Sequence, residues 1–224
     1  MTVGVIIALD REYQRLTELL GGSEGVVAGN HIVLRHSGVG KVNAALGTQR
    51  LINDCNPDCI INNGVAGGLD ASLHVMDVVV SKELVYHDVW CGDDNAKGQI
   101  QGLPERFKGD ERLLKIATGL DCGHPIYAGL ICTGDQFVTN DSHLHEIKSN
   151  FPDGLAVDME SAAIAQTCYL NNVPFLAVRF ISDVPSEAKD YEEHVAMYNA
   201  FWANVSHRSF RTGRMFLESL PNQL

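Results

Sequence analysis

Carboxylate side chains follow three apolar segments of this sequence, each close to the point where the segment ends. In chain order they are Glu12 after Val3–Leu9, Glu160 after Gly154–Val157, and Asp183 after Phe175–Ile181. A glycine-rich stretch, Asn62–Gly68, follows a fourth apolar segment and would let a ligand approach the backbone closely. If these segments are strands of one open α/β sheet, the polar groups meet at the strand ends, where such sheets bind ligands.

Carboxyl groups placed in this way suit the cleavage of a glycosidic bond. One carboxylic acid protonates the leaving group, while a second carboxylate activates water on the opposite face of the sugar. The sequence offers no competing nucleophile, since it has no Gly-x-Ser-x-Gly and no cysteine in a catalytic signature. Each carboxylate also has a structural explanation: Glu12 and Glu160 would suit the positive ends of helices, and Asp183 would suit a cap or turn.

Three other motifs fail as ligand sites. His36–Val42 contains Gly-Lys, but it lacks the first glycine and the Ser or Thr of a phosphate-binding loop. The first strand-to-helix turn, Ala8–Glu12, has no glycine and is therefore no dinucleotide fingerprint. His143 and His145 are two residues apart, so on a helix they face different directions. We expect neither a metal nor a cofactor.

Apolar runs alternate with helical patterns along most of the chain. The predicted strands are Val3–Leu9, Gly25–Asn30, His31–Ser37, Cys59–Asn62, Asp77–Ser81, Ile126–Cys132, Gly154–Val157 and Phe175–Ile181. The predicted helices are Glu12–Leu20, Lys41–Asn56, Glu111–Leu120, His143–Asn150, Glu160–Asn171 and Tyr191–Leu220. Strands separated by helices favour a parallel sheet, and the early hairpin at Gly29-Asn30 makes it mixed. We predict a single α/β domain over residues 1–224, with three α/β/α layers around a central mixed, mostly parallel sheet.

The composition excludes several classes of protein. The chain has 224 residues, of which 45% are hydrophobic, so it can bury a substantial core and is not a disordered protein. Its formal net charge of −11 argues against binding to nucleic acid or an anionic membrane. No stretch approaches the roughly 20 apolar residues of a membrane span, and Met1–Asp10 lacks the basic start of a signal peptide. Six scattered cysteines indicate reduced thiols, so we expect a cytoplasmic protein.

The segment Tyr86–Phe107 has apolar side chains but no helical or strand period. These side chains are Val89, Trp90, Ile100, Leu103 and Phe107. A monomer rarely exposes so large an apolar patch, so the segment predicts a homodimer interface. The alternative is that the segment folds back over its own sheet.

The motifs, in their order along the chain, resemble bacterial 5′-methylthioadenosine/S-adenosylhomocysteine nucleosidases of the purine nucleoside phosphorylase superfamily. The matching segments are Val3–Leu9 with Glu12, Ser37–Gly47, Ile60–Leu69, Tyr86–Asp88, Gly134–Val138, Ala156–Glu160 and Val178–Asp183. The resemblance implies a nucleoside phosphorylase-like fold. It also implies hydrolysis of the N-glycosidic bond of 5′-substituted adenosines, a purine nucleoside as the ligand, and a homodimer whose partner loop completes the pocket.

The resemblance assigns the chemistry to two carboxyl groups. Glu12 would orient and deprotonate the attacking water, and Asp183 would protonate purine N7 with Ser182 beside it. A carboxyl group that both donates and accepts suits a 6-aminopurine better than a 6-oxopurine. Glu12 would also repel phosphate, which favours water as the nucleophile.

The resemblance assigns binding roles to five further residues. Glu160 would bind the ribose hydroxyls, and Met159 would lie against the ribose. Phe137 would stack on the base, as its aromatic ring permits, while the backbone of Val138 reads the hydrogen-bonding edge of the base. Gly67 would lie close to the ligand.

The chain departs from the family pattern at positions that bear on specificity. Val65 stands in the glycine stretch where the family commonly has Ser, and Asn63 is the neighbour that could replace the lost polar contact. Trp90–Gln101 differs most from the family, in the loop that encloses the alkylthio tail. The family also has an apolar residue near Tyr191, and Tyr191 is the candidate for it.

Three alternatives stay open at this point. A purine nucleoside phosphorylase would use the same fold but would require phosphate. A hydrolase of an aminodeoxyfutalosine-type adenine nucleoside is a close variant. A non-catalytic nucleoside-binding protein belongs to another functional class, and the presence of Glu12, Glu160 and Asp183 together argues against it. The sequence leaves the preferred 5′ substituent open.

Overall fold

The fold is organised around a mixed sheet that carries helices on its faces. A computed structural model describes residues 1–139, 141–184, 188, 190–204 and 206–224. The elements are β1 (Thr2–Ile7), α1 (Asp10–Leu20), β2 (Glu24–Val27), β3 (Asn30–His36), α2 (Lys41–Cys55), β4 (Cys59–Gly68), β5 (Val78–Tyr86), β6 (Phe107–Lys108), α3 (Glu111–Thr118), β7 (Ile126–Thr133), α4 (Asp141–Asn150), β8 (Gly154–Asp158), α5 (Ser161–Asn171), β9 (Phe175–Asp183), α6 (Tyr191–Asn204) and α7 (Ser206–Ser219).

The described residues form a nine-stranded sheet in the order β2-β3-β1-β4-β8-β7-β5-β6, and β9 pairs with both β4 and β5. The β1–β3, β1–β4, β4–β9, β5–β7 and β7–β8 pairs are parallel. The β2–β3, β4–β8, β5–β6 and β5–β9 pairs are antiparallel. The predicted α/β class with a central mixed sheet is confirmed. The structure adds that β4, β8, β7, β5 and β9 close a ring of pairings, so β4 and β9 lie at the centre of the molecule.

Strand β9 is buried along its whole length, as its nearly continuous apolar sequence predicts. The exceptions within that sequence are Arg179 and the terminal Ser182 and Asp183, all of which are buried. A buried charge needs partners, so these polar residues mark the part of the sheet that forms a site rather than a core.

The glycine-rich stretch is a strand, which corrects its interpretation as a segment that follows one. Strand β4 continues past the predicted end at Asn62 to Gly68, and Gly64 pairs with Arg179 of β9. A Cβ atom at Gly64 would collide with the guanidinium of Arg179 and press on the carboxylate of Glu12. Glycine is therefore required here because two charged side chains cross the strand.

The C-terminal region forms two helices where the sequence predicts one over Tyr191–Leu220. Helix α6 packs on β9, and α7 packs on α1. The two helices have different partners, and apolar periodicity does not reveal such a change of partner. Among the described residues, no helix has the length and apolar character needed to cross a membrane.

The segment between β5 and β6 is irregular, as predicted, but most of its apolar side chains pack against the chain's own core. Val89, Ile100 and Leu103 are partly buried there, and Phe107 is 5% exposed. Trp90 differs, with 54% of its surface exposed. For all but Trp90, the structure therefore matches the alternative in which the segment folds over its own sheet.

Candidate active site

The carboxyl ends of β1, β4, β8 and β9 open into a cavity of about 290 Å³. All eight residues proposed from the sequence line it: Glu12, Gly67, Phe137, Val138, Met159, Glu160, Ser182 and Asp183. They come from separate elements: β1, β4 and β9 are parallel and end at the same edge, and β8, which is antiparallel to β4, pairs with it at Gly67 and Gly68 and so brings Met159 and Glu160 to the same place. The structure therefore brings the candidate site residues together, while their individual roles stay predictions.

Glu12 lies in the first turn of α1 with its carboxylate turned inwards, and it is 1% exposed. Its Oε1 accepts a hydrogen bond from the backbone N–H of Val65 at 2.9 Å. Its Oε2 accepts one from the N–H of Leu9 at 3.1 Å, which also caps the start of the helix. Burial raises the pKa of Glu12, although Arg179 and the backbone donors oppose the shift. A carboxylate of raised pKa is a stronger base for a bound water.

Arg179 connects the carboxylates at this end of the cavity. Its Nη2 lies 2.7 Å from Oδ2 of Asp158 and 3.4 Å from Oε2 of Glu160, and its side chain is 1% exposed. Its Nε donates to Oγ of Ser161 at 3.0 Å. Burial disfavours the charged guanidinium, but Asp158, Glu160 and Glu12 together hold the pKa of Arg179 above its usual value.

Glu160 is one of several carboxylates around this single guanidinium. Its Oε1 accepts a hydrogen bond from the N–H of Gly40 at 3.1 Å. Burial raises the pKa of Glu160 to about 7, because it outweighs the attraction of Arg179, and the charge of Asp158 adds to the increase. Glu160 can therefore both donate and accept hydrogen bonds near neutral pH, which suits hydroxyl groups as ligands.

Asp183 lies at the end of β9 in different surroundings. Its Oδ1 accepts a short hydrogen bond from Oγ of Ser182. Its Oδ2 lies 3.0 Å from Nε2 of His194, a residue of α6 with no exposed surface. Asp183 itself is 2% exposed. Among the described residues, the polar side chains beside this carboxyl group are a hydroxyl and an imidazole, and no guanidinium pairs with it.

An aromatic cluster borders the cavity near Asp183. The ring of Phe137 lies 5.4 Å from that of His194 and 5.8 Å from that of Tyr198, edge to face in both pairs. Phe137 is 49% exposed, so a large part of its ring is free to contact a ligand. Val138 beside it is buried. A planar base could stack on the ring of Phe137 at this position.

Sequence reasoning missed Arg179, His194 and Tyr198. The sequence did contain an indication that Arg179 belongs to a site, since a charged residue inside an apolar strand must be paired when it is buried. It contained no such indication for His194 and Tyr198, because polar and aromatic residues on a helix are common. Tyr191, the candidate for the family's apolar residue, is 62% exposed and does not line the cavity, whereas Tyr198 of the same helix does.

Asn63 does not replace the polar contact that Val65 lacks. Its side chain is buried and directed at Gly213 of α7, where an added Cβ would lie 2.5 Å from its Nδ2. Val65 instead lines the cavity with its side chain and binds Glu12 through its backbone. The wall beside Glu12 is therefore more apolar than it would be with a serine.

The fold and the cavity together define a class of protein: the enzymes that cleave nucleosides at the bond between sugar and base. The sequence matches the phosphorylase superfamily over residues 2–218, and the chain belongs to that superfamily.

Solved structures of 5′-methylthioadenosine/S-adenosylhomocysteine nucleosidases are similar to this chain, which confirms the resemblance drawn from the motifs. The Neisseria meningitidis enzyme, in complex with methylthio-immucillin-A, is 36% identical, with 98% of this chain and 99% of that chain covered and a TM-score of 0.88. The Streptococcus pneumoniae enzyme, with the transition-state inhibitor MT-ImmA, is 33% identical, with 99% and 100% covered and a TM-score of 0.88. The Colwellia psychrerythraea enzyme, in complex with adenine, is 34% identical, with 95% of each chain covered and a TM-score of 0.79.

Proposed function

We propose that this protein hydrolyses the N-glycosidic bond of 5′-methylthioadenosine, S-adenosylhomocysteine and related 5′-substituted adenosines. The products are adenine and the 5-substituted ribose. The observation that carries the proposal is one cavity lined by two buried carboxyl groups in unlike surroundings, Glu12 and Asp183. Relatives that are 33–36% identical bind adenosine analogues of this kind, and one that is 34% identical binds adenine.

Glu12 is the base that activates water in this mechanism. Two backbone N–H groups hold its oxygens, so the carboxylate has a fixed orientation. As the sugar becomes electron-deficient at C1′, Glu12 accepts a proton from the water that attacks there. The apolar side chain of Val65 limits competing polar contacts beside this carboxylate.

Asp183 is the acid that releases the base. It donates a proton to purine N7 while the C1′–N9 bond breaks, and the bonding electrons leave with the purine as neutral adenine. The Oγ of Ser182 donates a hydrogen bond to Oδ1 of Asp183 and so orients the carboxyl group. Phe137 stacks on the base, and the backbone of Val138 reads its polar edge.

The sugar lies between these two groups in the proposed complex. Glu160 binds the ribose hydroxyls and strengthens that contact as positive charge develops on the ring. Met159 lies against the ribose, and Gly67 leaves room for the ligand to approach the backbone. Leu9 and Val39 also line the cavity and provide apolar surface for an alkylthio substituent.

Water is favoured over phosphate as the nucleophile by the charges around the cavity. Among the described residues that line it, Arg179 is the only cation, and it already pairs with Asp158 and Glu160. A phosphate dianion would therefore enter a site with four buried carboxyl groups, Glu12, Asp158, Glu160 and Asp183, and no uncommitted cation among the described residues, at a large electrostatic cost.

Product analysis tests this proposal and separates it from the alternatives. Adenine release is measured from 5′-methylthioadenosine, S-adenosylhomocysteine and an aminodeoxyfutalosine-type nucleoside, each with and without phosphate. The expected result is free 5-substituted ribose at a rate independent of phosphate. A ribose 1-phosphate product would identify a phosphorylase, and binding without turnover would identify a nucleoside-binding protein.

Glu12→Gln sharpens the test. Gln keeps the size of the side chain but cannot accept the proton of the water, so turnover should fall by about 100- to 10,000-fold while adenine binding changes little. Weakened adenine binding with unchanged turnover would contradict the role of Glu12. Exposed Glu18→Gln on the same helix is the matched control, with wild-type turnover expected.

The proposed active form is a homodimer whose partner completes the pocket. Trp90 and three side chains around the start of α2, Val39, Val42 and Leu46, are exposed apolar residues. Lys41 of α2 binds Asp88 at 2.7 Å, which brings the loop that carries Trp90 against this helix. Because Val39 also lines the cavity, a second copy on this surface would lie at the entrance of the site.

A further inference from the structure

His194 is a buried titratable residue to which neither the family pattern nor the proposed reaction assigns a role. It lies in the first turns of α6, has no exposed surface and does not line the cavity. Its Nε2 lies 3.0 Å from Oδ2 of Asp183, while Oδ1 of Asp183 accepts a hydrogen bond from Ser182. His194 can therefore act on a ligand only through Asp183.

The surroundings of His194 hold the imidazole in one orientation. The ring of Phe137 meets it edge to face, with an interplanar angle of 88°. Helix α6 is fixed to the end of β9 by a hydrogen bond from the N–H of Val184 to Sδ of Met197 at 3.3 Å. Neither ring nitrogen of His194 makes a well-aligned hydrogen bond to a described residue, and Oδ2 of Asp183 is the acceptor that lies within ion-pair distance of Nε2.

We propose that His194 is a positioning residue for Asp183: it shares one proton with the carboxyl group and keeps that proton available to the purine at neutral pH. The proposal rests on the proposed function, in which Asp183 protonates N7. A carboxyl group without a partner has an ordinary pKa near 4 and carries no proton at neutral pH, whereas imidazole titrates close to neutrality. Pairing the two groups keeps one proton in the site.

The proton balance of this step is simple. Before the reaction, the pair holds one proton in addition to the one that a neutral imidazole carries, either on Asp183 or on Nε2 of His194. Asp183 gives a proton to N7 while the electrons of the C1′–N9 bond pass to the purine. The pair is left as a carboxylate beside a neutral imidazole that keeps its own proton on Nδ1, and its unprotonated Nε2 can take up a new proton for the next turnover. The pair loses one proton and the purine gains it.

The other titratable groups on neighbouring elements do not replace His194. Burial first, and then the charges of Glu12 and Asp183, raise the pKa of Tyr198, so that its phenol stays neutral throughout the working range. Arg11 is cationic at all relevant pH values. Glu12, whose pKa is raised, must be ionised to act as a base, so its titration limits activity on the acidic side. In this proposal, loss of the proton shared by Asp183 and His194 limits activity on the alkaline side of the pH profile.

Two variants separate proton sharing from packing. His194→Gln keeps an N–H donor for Asp183 but removes the titrating ring, whereas His194→Phe keeps a ring against Phe137 and removes both nitrogens. For His194→Gln, we expect the alkaline fall of kcat/KM to move at least half a unit towards lower pH. For His194→Phe, we expect kcat to fall about 10- to 100-fold with KM within threefold.

A substrate with an activated leaving group provides the decisive control. A 4-nitrophenyl riboside with the same 5-substituent releases 4-nitrophenolate. This stable anion needs no proton from Asp183 in order to leave. We expect both His194 variants to hydrolyse it within about threefold of the wild-type rate. Equal losses on this riboside and on the adenine nucleoside would mean that His194 only supports the fold, and the inference would be overturned.

Two further variants complete the experiment. His145→Gln, at an exposed position of α4, should leave the pH profile unchanged on both substrates. Asp183→Asn should lose adenine release, and its failure to do so would contradict the proposed function itself. If Asp183→Asn is inactive but His194→Gln keeps the wild-type alkaline limb, the acid role of Asp183 stands and only the role of His194 is wrong.

Discussion

The two ends of the cavity both contain buried carboxyl groups, but their counter-groups differ. At one end, Glu160 and Asp158 lie within 3.4 Å of the guanidinium of Arg179, which keeps its charge at any working pH. At the other end, Asp183 lies 3.0 Å from the imidazole of His194, a type of side chain that can be neutral or cationic. A permanent cation anchors carboxylates in place, whereas a titratable partner permits a proton to come and go.

This difference explains how one residue type can serve two purposes in one cavity. The arginine end is suited to binding, since its network of charges and backbone donors fixes the position of Glu160. The histidine end is suited to the proton transfer that we propose, since an imidazole can be neutral or charged. Substitutions at each end of the cavity and at its entrance test this contrast.

Asp183→Asn should have the largest effect on activity. The amide keeps the shape of the carboxyl group but cannot give a proton to N7, so turnover should fall by about 100- to 10,000-fold. Measurement of kcat for adenine release, with adenine binding as the control for an intact pocket, checks this. Activity within about threefold of wild type would exclude Asp183 as the acid.

Arg179→Met should have the largest effect on stability, because it leaves buried carboxylates without their cation. Removal of one partner from a buried ion pair costs about 3–5 kcal/mol. Urea unfolding at pH 8 measures the loss, which should shrink at pH 5, where Glu160, whose pKa is raised, takes up a proton. Arg214→Met removes a half-exposed ion pair with Glu218 and should cost at most about 1 kcal/mol. Equal costs for the two variants would contradict the anchoring role of Arg179.

Glu160→Gln should change how the stability of the protein depends on pH. The pKa of Glu160 is raised in the folded protein from 4.5 to about 7, so the native state binds the proton more tightly than the unfolded chain does. Its contribution to stability is therefore present below about pH 4.5 and is lost as the pH rises through 7. The shift corresponds to about 3 kcal/mol. Unfolding at pH 4.5 and 8 should show this loss in wild type and a smaller one in Glu160→Gln, and equal slopes would contradict the assignment.

Trp90→Asp should have the smallest effect on the chemistry, because it acts at the entrance of the cavity. Sedimentation of the wild-type protein at micromolar concentration should give about twice the chain mass. The variant should shift towards monomer and raise KM several-fold for a substrate with a long 5′ tail, because the partner no longer covers the entrance. Val26→Asp, at an exposed position of β2, is the control and should leave both values unchanged. A fully active monomeric wild type would contradict the dimer.

Local sequence patterns were sufficient for most of the fold. Each strand of the sheet that is buried on both faces, β9 above all, shows its burial directly in its apolar residues. The helices α1 and α2 were predicted to within a few residues because apolar spacing and glycine or asparagine at their ends are local features. The predicted elements were wrong where a residue's surroundings are formed by residues that are distant in the sequence. Strand β4 continues through its glycines because it pairs with β9 as far as Gly67, and Gly64 is required because Arg179 and Glu12 leave no room for a Cβ atom.

The sequence by itself determined which residues gather at the strand ends and which superfamily the chain belongs to, since motifs and apolar runs lie within short stretches. Only the tertiary structure decided the partners of the carboxyl groups. Arg179 lies 19 residues from Glu160, and His194 lies on a helix that follows Asp183. Whether a buried acid is held by a guanidinium or by an imidazole depends on distances across elements, and no local pattern encodes those distances. The electrostatic environment that separates a binding carboxylate from a proton donor is therefore a property of the folded molecule.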